Sequence, residues 1–352
     1  MDEQGFRDWL SSYTDYDKAM AAFHDQKRFF RVNTIKIASS IFEKTTRISC
    51  GRSPYYENAF EIKEQPSYQI GKTWEYFLGL IYPQSLPSIL DSLVLLPGPQ
   101  DNVLDVAAAP GSKFSHMAML MQNKGVLAGN DVKGQKISAL YSTINRMNIL
   151  NSIVTMRDGS DLNWRSRFDK IILDAPCTAL GSGEGASARW DPTHSYRIST
   201  LQRRMLFSAY DALKEGGELV YSTCTYAKEE NEAVIANLLE NVSGARLLDV
   251  GQALKHDERL DIPHEPGLSD FGSEFRKCWR IYPQHLQSEG FFIAKIRKGE
   301  RISGSEKGGT TEKQESGGMG NEEANASEGL GEMGKDDENA EEASGDDSGI
   351  GG

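Results

Sequence analysis

The sequence predicts a doubly wound α/β fold, a mostly parallel seven-stranded sheet with helices on both faces, joined to a smaller amino-terminal α+β unit and a disordered acidic tail. Three observations carry this. Between residues 102 and 299, β-rich apolar runs alternate with segments of helical period, the pattern of a parallel sheet covered by helices. The first of these runs leads into Ala107-Ala-Ala-Pro-Gly111, a stretch of small residues ahead of a helix. The second ends in Asn130-Asp131, an acidic residue about 20 positions further on, where doubly wound folds place a carboxylate for ribose hydroxyls.

Taken in order, Asn102–Val106 reads as a strand, Ser112–Met121 as a helix, Gly125–Asn130 as a strand, Gly134–Met147 as a helix and Ile153–Met156 as the third strand. Phe168–Asp174 is the fourth strand. A helix over Ser199–Lys214 is expected to stop at Gly216-Gly217, a favourable helix end, before a fifth strand at Glu218–Ser222. A helix over Glu229–Glu240 and strands at Ala245–Leu248 and Phe291–Ile296 complete the sheet, the last after a loop-rich segment from Ile262 to Gln287. Residues 1–95 form a separate substrate-positioning unit, with one helix over Phe6–Ala22 and a short strand at Phe30–Ile35; residues 96–299 are the catalytic domain and 300–352 the tail.

Composition narrows the function classes. From Glu300 to Gly352 there are 15 acidic against 4 basic residues, so of the chain's net −12 only −1 belongs to residues 1–299. A segment this polar cannot bury enough apolar surface to fold, and its charge does not exclude a nucleic-acid partner for the body. The amino terminus lacks a basic start and apolar run, and no apolar stretch is long enough to span a membrane; a protein of the cytoplasm, or of the nucleus or nucleolus in a eukaryote, is expected. Cys50, Cys177, Cys224 and Cys278 show no Cys-x-x-Cys pairing, which points to reduced thiols, and the scattered histidines give no metal-ligand spacing.

The loop after the first strand is neither Gly-x-Gly-x-x-Gly nor Gly-x-x-x-x-Gly-Lys-Ser/Thr, which disfavours a dinucleotide and a triphosphate. With Asp131 placed for a ribose and Asp158, after the third strand, for an adenine amino group, the series fits S-adenosylmethionine. The other two strand ends carry Asp174-Ala-Pro-Cys177 and Ser222-Thr-Cys-Thr225. In an open α/β sheet such ends converge on one pocket. A thiol, a carboxyl and a second proton-handling group are what methylation at carbon 5 of cytosine requires, because that carbon becomes nucleophilic only after a thiolate adds to carbon 6.

Those motifs, with Ala107-Ala-Ala-Pro-Gly-Ser-Lys113 before them, resemble the RsmB/NOP (Sun-type) family of RNA 5-methylcytosine methyltransferases. Arg31-Val-Asn-Thr34 and Glu289-Gly-Phe-Phe-Ile-Ala294 are similar to its first and last signatures, so the resemblance spans roughly residues 28–298 by motif order. It implies the class I methyltransferase-like form of the fold, Cys224 as nucleophile, Cys177 in enzyme release, Asp174 on the cytosine and Lys113 shaping the site. It further implies S-adenosylmethionine bound by Ala107, Ala108, Ala109, Pro110, Gly111, Ser112, Lys113, Asp131, Lys136, Asp158 and Asp174. The partner is RNA, transfer RNA in preference to ribosomal RNA, and the enzyme is expected to be a monomer without a metal. The segment after Cys177 departs from the family's Cys-Ser/Thr-Gly-x-Gly. Arg189, Trp190, Arg197, Arg203 and Arg204 are candidates to hold phosphate and stack an extruded base. Two other readings stand beside this one: a DNA cytosine methyltransferase, in which Cys177 would attack, and a non-catalytic RNA-binding assembly factor.

Overall fold

The computed structural model describes residues 3–63, 70–183 and 185–300; the expected tail lies, from residue 301, outside them. The amino-terminal part opens with two helices, α1 (Glu3–Ser11) and α2 (Tyr16–His24), where the sequence suggested one. The break is chemical. Asp15 caps α2 by accepting from the Lys18 amide at 3.1 Å, and a cap of this kind starts a new helix. Next come β1 (Phe29–Val32), α3 (Ser39–Thr45), β2 (Cys50–Arg52), β3 (Ala59–Ile62), α4 (Trp74–Phe77) and β4 (Ile81–Pro83), whose strands pair antiparallel in the order β2-β3-β1-β4. Cys50 packs partly buried against the small apolar cluster that contains Phe30, Phe42 and Phe60, and burial pushes its thiol up to about 11.

α5 (Leu86–Leu95) is buried along its whole length and packs on the large sheet, so the unit read as 1–95 gives its last helix to the catalytic layer. The sheet is built by β5 (Asn102–Asp105), α6 (Ser112–Leu120), β6 (Val126–Asn130), α7 (Gly134–Met147), β7 (Ser152–Thr155), β8 (Phe168–Asp174), α8 (Ala186–Arg189), α9 (Pro192–Ala212), β9 (Leu213–Thr223), α10 (Glu232–Asn241), β10 (Arg246–Leu248), β11 (Glu265–Pro266), β12 (Trp279–Ile281) and β13 (Phe291–Arg297). Its order is β11-β12-β13-β9-β8-β5-β6-β7, parallel from β7 to β9 and antiparallel at β13. Nine strands fill the expected architecture because one edge of β13 is shared. β10 pairs with Lys295–Arg297 and β12 with Phe291–Ile293, the latter drawn from the segment read as loop. One apolar cluster lies under α5, α6 and α7, the other under α9 and α10.

Two expectations around α9 are corrected. The helix begins seven residues earlier, at Pro192, a residue pre-set for the first turn, with Asp191 accepting from the Thr193 amide at 2.8 Å. Gly216-Gly217 does not end it but sits inside β9, where Gly216 has φ of 74° and the pairing with β8 slips between Phe168 and Lys170. A Cβ at Gly217 would come within 2.9 Å of the Asp169 carbonyl oxygen, so the glycine answers a close strand approach.

Candidate active site

The carboxyl ends of β5, β6, β8 and β9 open on one side of the sheet. After β5 the chain turns through Val106–Gly111, and Gly111 stands at φ 111° where a Cβ would meet Thr143 at 2.8 Å. That tight turn starts α6 at Ser112 and puts Lys113 in its first turn, aimed back at the strand ends. Asn130 ties three loops together. Its Nδ2 donates to the carbonyls of Val106 (3.1 Å) and Arg157 (3.0 Å), and its Oδ1 accepts from Thr155 Oγ1 (2.9 Å) and the Arg157 amide (3.0 Å). The sequence reading used Asn130 only as a strand end.

Beside it Asp131 is buried, with Lys136 Nζ 3.7 Å from its Oδ2, an atom with no hydrogen-bond donor among the described residues. A buried carboxylate oxygen lacking a donor is costly unless a ligand supplies one. Ribose hydroxyls are such donors, and the small residues Ala107 and Ala108 leave room for a ligand against the backbone, so these side chains fit S-adenosylmethionine. Asp158 is exposed at the rim, accepting from the Ser160 amide at 2.8 Å, a bond that holds its carboxyl below the usual range.

Asp105, at the end of β5, is buried with no hydrogen-bond partner for its Oδ1 among the described residues, and burial pushes its carboxyl up to about 8. A carboxyl that ionises near 3.8 when unfolded and near 8 when folded takes up a proton on folding between those values. Its stabilising contribution is complete below about 4 and is lost as pH rises through about 8. The ligand-free Asp105→Asn variant is therefore expected to lose less thermal stability between pH 5 and 8.5 than the unsubstituted protein; parallel melting curves across that range would contradict this assignment.

Lys113 Nζ donates to Asp174 Oδ2 at 2.7 Å and to Ser88 Oγ at 3.1 Å, and lies 3.5 Å from Asp91 Oδ2. Ser222 Oγ donates to Asp91 Oδ2 at 2.6 Å and reaches Asp174 Oδ1 at 3.4 Å. Burial works against the Lys113 ammonium, yet Asp174 and Asp91 outweigh it and hold its pKa above the ordinary lysine value. Burial pushes Asp91 up to about 7, against the pull of Lys113. Asp174 differs from Asp91 in reach: its side chain is 36% exposed, against 0%.

Cys177 and Cys224 stand with their sulfurs 3.2 Å apart, both half-buried. The hydrogen bond shared with Cys177, which favours the protonated Cys224 thiol, then burial, then the negative charge of Cys177, Asp174 and Glu289 push it well above its usual value. The loop between Cys177 and α8 is stitched to the other strand ends, Gly181 N donating to the Cys224 carbonyl at 2.9 Å and Gly290 N to that of Gly181 at 2.7 Å. A Cβ on Gly181 would lie 2.7 Å from the Gly290 oxygen, which accounts for a glycine at this point of the unusual segment. Cys278 is fully buried in the core.

The arginine and tryptophan cluster is divided. Trp190 packs against Phe6 and Trp9, with ring centroids 6.3 and 6.1 Å apart, so its ring is engaged by the chain itself instead of standing free for a base. Arg189 donates to the Ala179 carbonyl at 3.1 Å and so shapes the loop. Arg197 is exposed on α9, where Arg203 is partly buried, and Arg204 lines a separate groove with Trp164 and Asp211.

Residues 92–297 match the family described as 16S rRNA methyltransferase RsmB/F. The chain belongs to this family. It is therefore an S-adenosylmethionine-dependent RNA cytosine-5 methyltransferase. It is 40% identical over 232 residues to a tRNA (cytosine(49)-C(5))-methyltransferase of Pyrococcus abyssi, covering 65% of this chain and 73% of that one. A Ribosomal RNA small subunit methyltransferase F of Vibrio cholerae is 36% identical over 286 residues, 77% of this chain, which spans 58% of that protein's length. The crystal structure of a methyltransferase homolog from Pyrococcus horikoshii superposes with a TM-score of 0.69 at 34% identity, covering 80% of this chain and 90% of that one.

Proposed function

We propose that this RsmB/F protein methylates a cytosine of transfer RNA through a covalent adduct on Cys224. The observation that carries this is the thiol pair 3.2 Å apart at the ends of two strands, next to a carboxyl that Lys113 orients toward the same opening. Cys224, as thiolate, forms the sulfur–carbon 6 bond, and the electron pair of the ring double bond moves toward carbon 5. Asp174 engages the amino and nitrogen 3 edge, with Lys113 supplying the positive charge that steadies the density building there. When bound, S-adenosylmethionine supplies an electrophilic methyl group; Ala107–Lys113, Asp131, Lys136, Asp158 and Asp174 are the residues to hold it. Release requires the carbon 5 proton to leave, the double bond to re-form and the carbon–sulfur bond to break; in this reading Cys177 handles the proton on that departure, supported by its sulfur lying 3.2 Å from that of Cys224.

The raised thiol pKa means that little thiolate exists at neutral pH, so adduct formation should accelerate from pH 7 to 9. Transfer RNA is preferred because the archaeal relative, which takes its name from that substrate, is spanned over more of its length than the ribosomal one. The enzyme would act as a monomer on the RNA pool of the cytoplasm or, in a eukaryote, of the nucleolus; no helix among the described residues is long and apolar enough to cross a membrane. Bisulfite sequencing of total RNA with and without the gene tests this directly. Loss of one protected transfer RNA cytosine is expected, whereas loss confined to ribosomal RNA would reassign the substrate.

A further inference from the structure

Glu230, Asn231 and Glu232 lie side by side at the start of α10, and all three are fully buried. Buried carboxylates and amides persist where their bonding capacity is taken up, so their partners tell what they hold. Glu230 Oε2 accepts from the Thr178 amide at 3.0 Å and from Gln202 Nε2 at 3.1 Å, and its Oε1 accepts from Thr178 Oγ1 at 2.6 Å. Gln202 Nε2 also donates to the Pro176 carbonyl at 2.9 Å. Both chain neighbours of Cys177 are thus gripped from one place.

Asn231 does the same for the other thiol. Its Oδ1 accepts from Thr223 Oγ1 at 2.6 Å and its Nδ2 donates to the Thr225 carbonyl at 3.0 Å, so both neighbours of Cys224 are held. The two grips are joined, since Thr178 Oγ1 and Thr225 Oγ1 are 3.0 Å apart. With one hydroxyl proton each, the threonines form a directed chain from Thr225 through Thr178 to Glu230. Glu232 anchors the assembly by binding Arg280 through both oxygens, at 2.7 and 2.5 Å, while Arg280 donates to the Tyr226 carbonyl at 2.9 Å.

We propose that Glu230 and Asn231 are positioning residues that set the separation of the Cys177 and Cys224 sulfurs for the methyl-transfer cycle, one side chain holding each strand-end loop. The catalytic part of this rests on the reading of the two thiols given above, but the separation itself can be measured without substrate. Neither residue touches the reacting atoms; each acts through the peptide flanking a thiol. Small displacements of reacting groups cost large factors in rate, so a clamp of this kind has a purpose that packing alone lacks.

The test uses the reduced full-length protein, free of RNA and cofactor, exposed to diamide. One thiolate adds to the diazene and the other then attacks that sulfur, forming the sulfur–sulfur bond and expelling the hydrazine, so that two protons and two electrons pass to the reagent; the second step, followed by the decay of the mixed adduct, runs at a rate set by how often the sulfurs meet. Glu230→Gln keeps the size but sets an amide donor against Gln202, so the disulfide is expected to form about tenfold more slowly. kcat is expected to fall by a similar factor with KM for RNA unchanged. Leu247→Ala, a core truncation away from both loops, should lower the melting temperature without slowing the disulfide. Slowing of disulfide and turnover together supports the proposal; either one unchanged in a folded Glu230→Gln protein overturns it. Should that variant fail to fold, Thr178→Val decides on the same two readouts. A failure of the thiol assignment would show itself separately, as activity retained by Cys224→Ala.

Discussion

Cys224→Ala is expected to lower kcat on the order of 10⁴-fold or more, while Cys177→Ser is expected to accumulate a denaturant-stable protein–RNA adduct. The asymmetry follows from where each thiol acts. Without Cys224 no carbon–sulfur bond forms, carbon 5 is never activated, and the folded scaffold can only bind. Without Cys177 the bond forms, but the step that expels the enzyme lacks its proton-handling partner 3.2 Å away, so the intermediate is trapped. Gel mobility under denaturing conditions, with labelled RNA, reads both outcomes at once. An adduct seen with Cys224→Ser and not with Cys177→Ser would reverse the two roles and favour the mechanism in which the Pro-Cys thiol attacks. Full cellular activity of a folded Cys224→Ala protein would favour the assembly-factor reading.

Much of this site was legible because strand ends write it locally. Asp174-Ala-Pro-Cys177 and Ser222-Thr-Cys-Thr225 follow apolar runs whose parallel pairing, Asp174 opposite Ser222, brings them together by the topology alone. What the sequence did not reveal acts across long separations. Asp91 meets Ser222 over 131 positions and Lys113 over 22, and the helix that carries it was assigned to the other unit. One signal was present. An aspartate in the middle of Leu86–Leu95, whose other residues are apolar but for Ser88 and Ser92, has to find a cation or a donor once that helix is buried. Glu230 and Asn231 resembled an ordinary polar helix start, since Asn, Asp, Ser and Thr are the usual caps and acidic residues favour the neighbouring turn, and only the folded chain reveals that they face inward. Gly216-Gly217 misled because a helix end and a close strand approach call for the same residue.

Lys113→Met is expected to damage folding and turnover by separate routes that second substitutions can pull apart. Removing the ammonium leaves Asp91 fully buried beside Asp174 with no cation, and breaking a buried pair from one side costs roughly 3–5 kcal/mol. Most of that cost belongs to Asp91, because Asp174 is exposed enough for water to screen it. Asp91, already ionising only near 7 in the intact protein, would then stay protonated to higher pH. Adding Asp91→Asn to Lys113→Met should therefore recover much of the melting temperature while leaving kcat depressed, since the charge that steadies the cytosine edge is still missing. Asp174→Asn is the complement: a small stability change with kcat reduced by about 10²–10⁴-fold, the usual range for a group that handles a proton or a developing charge. Thermal denaturation and single-turnover methylation on the same four proteins separate the effects. A Lys113→Met/Asp91→Asn protein that regained turnover along with stability would make Lys113 a scaffold residue and remove it from the chemistry.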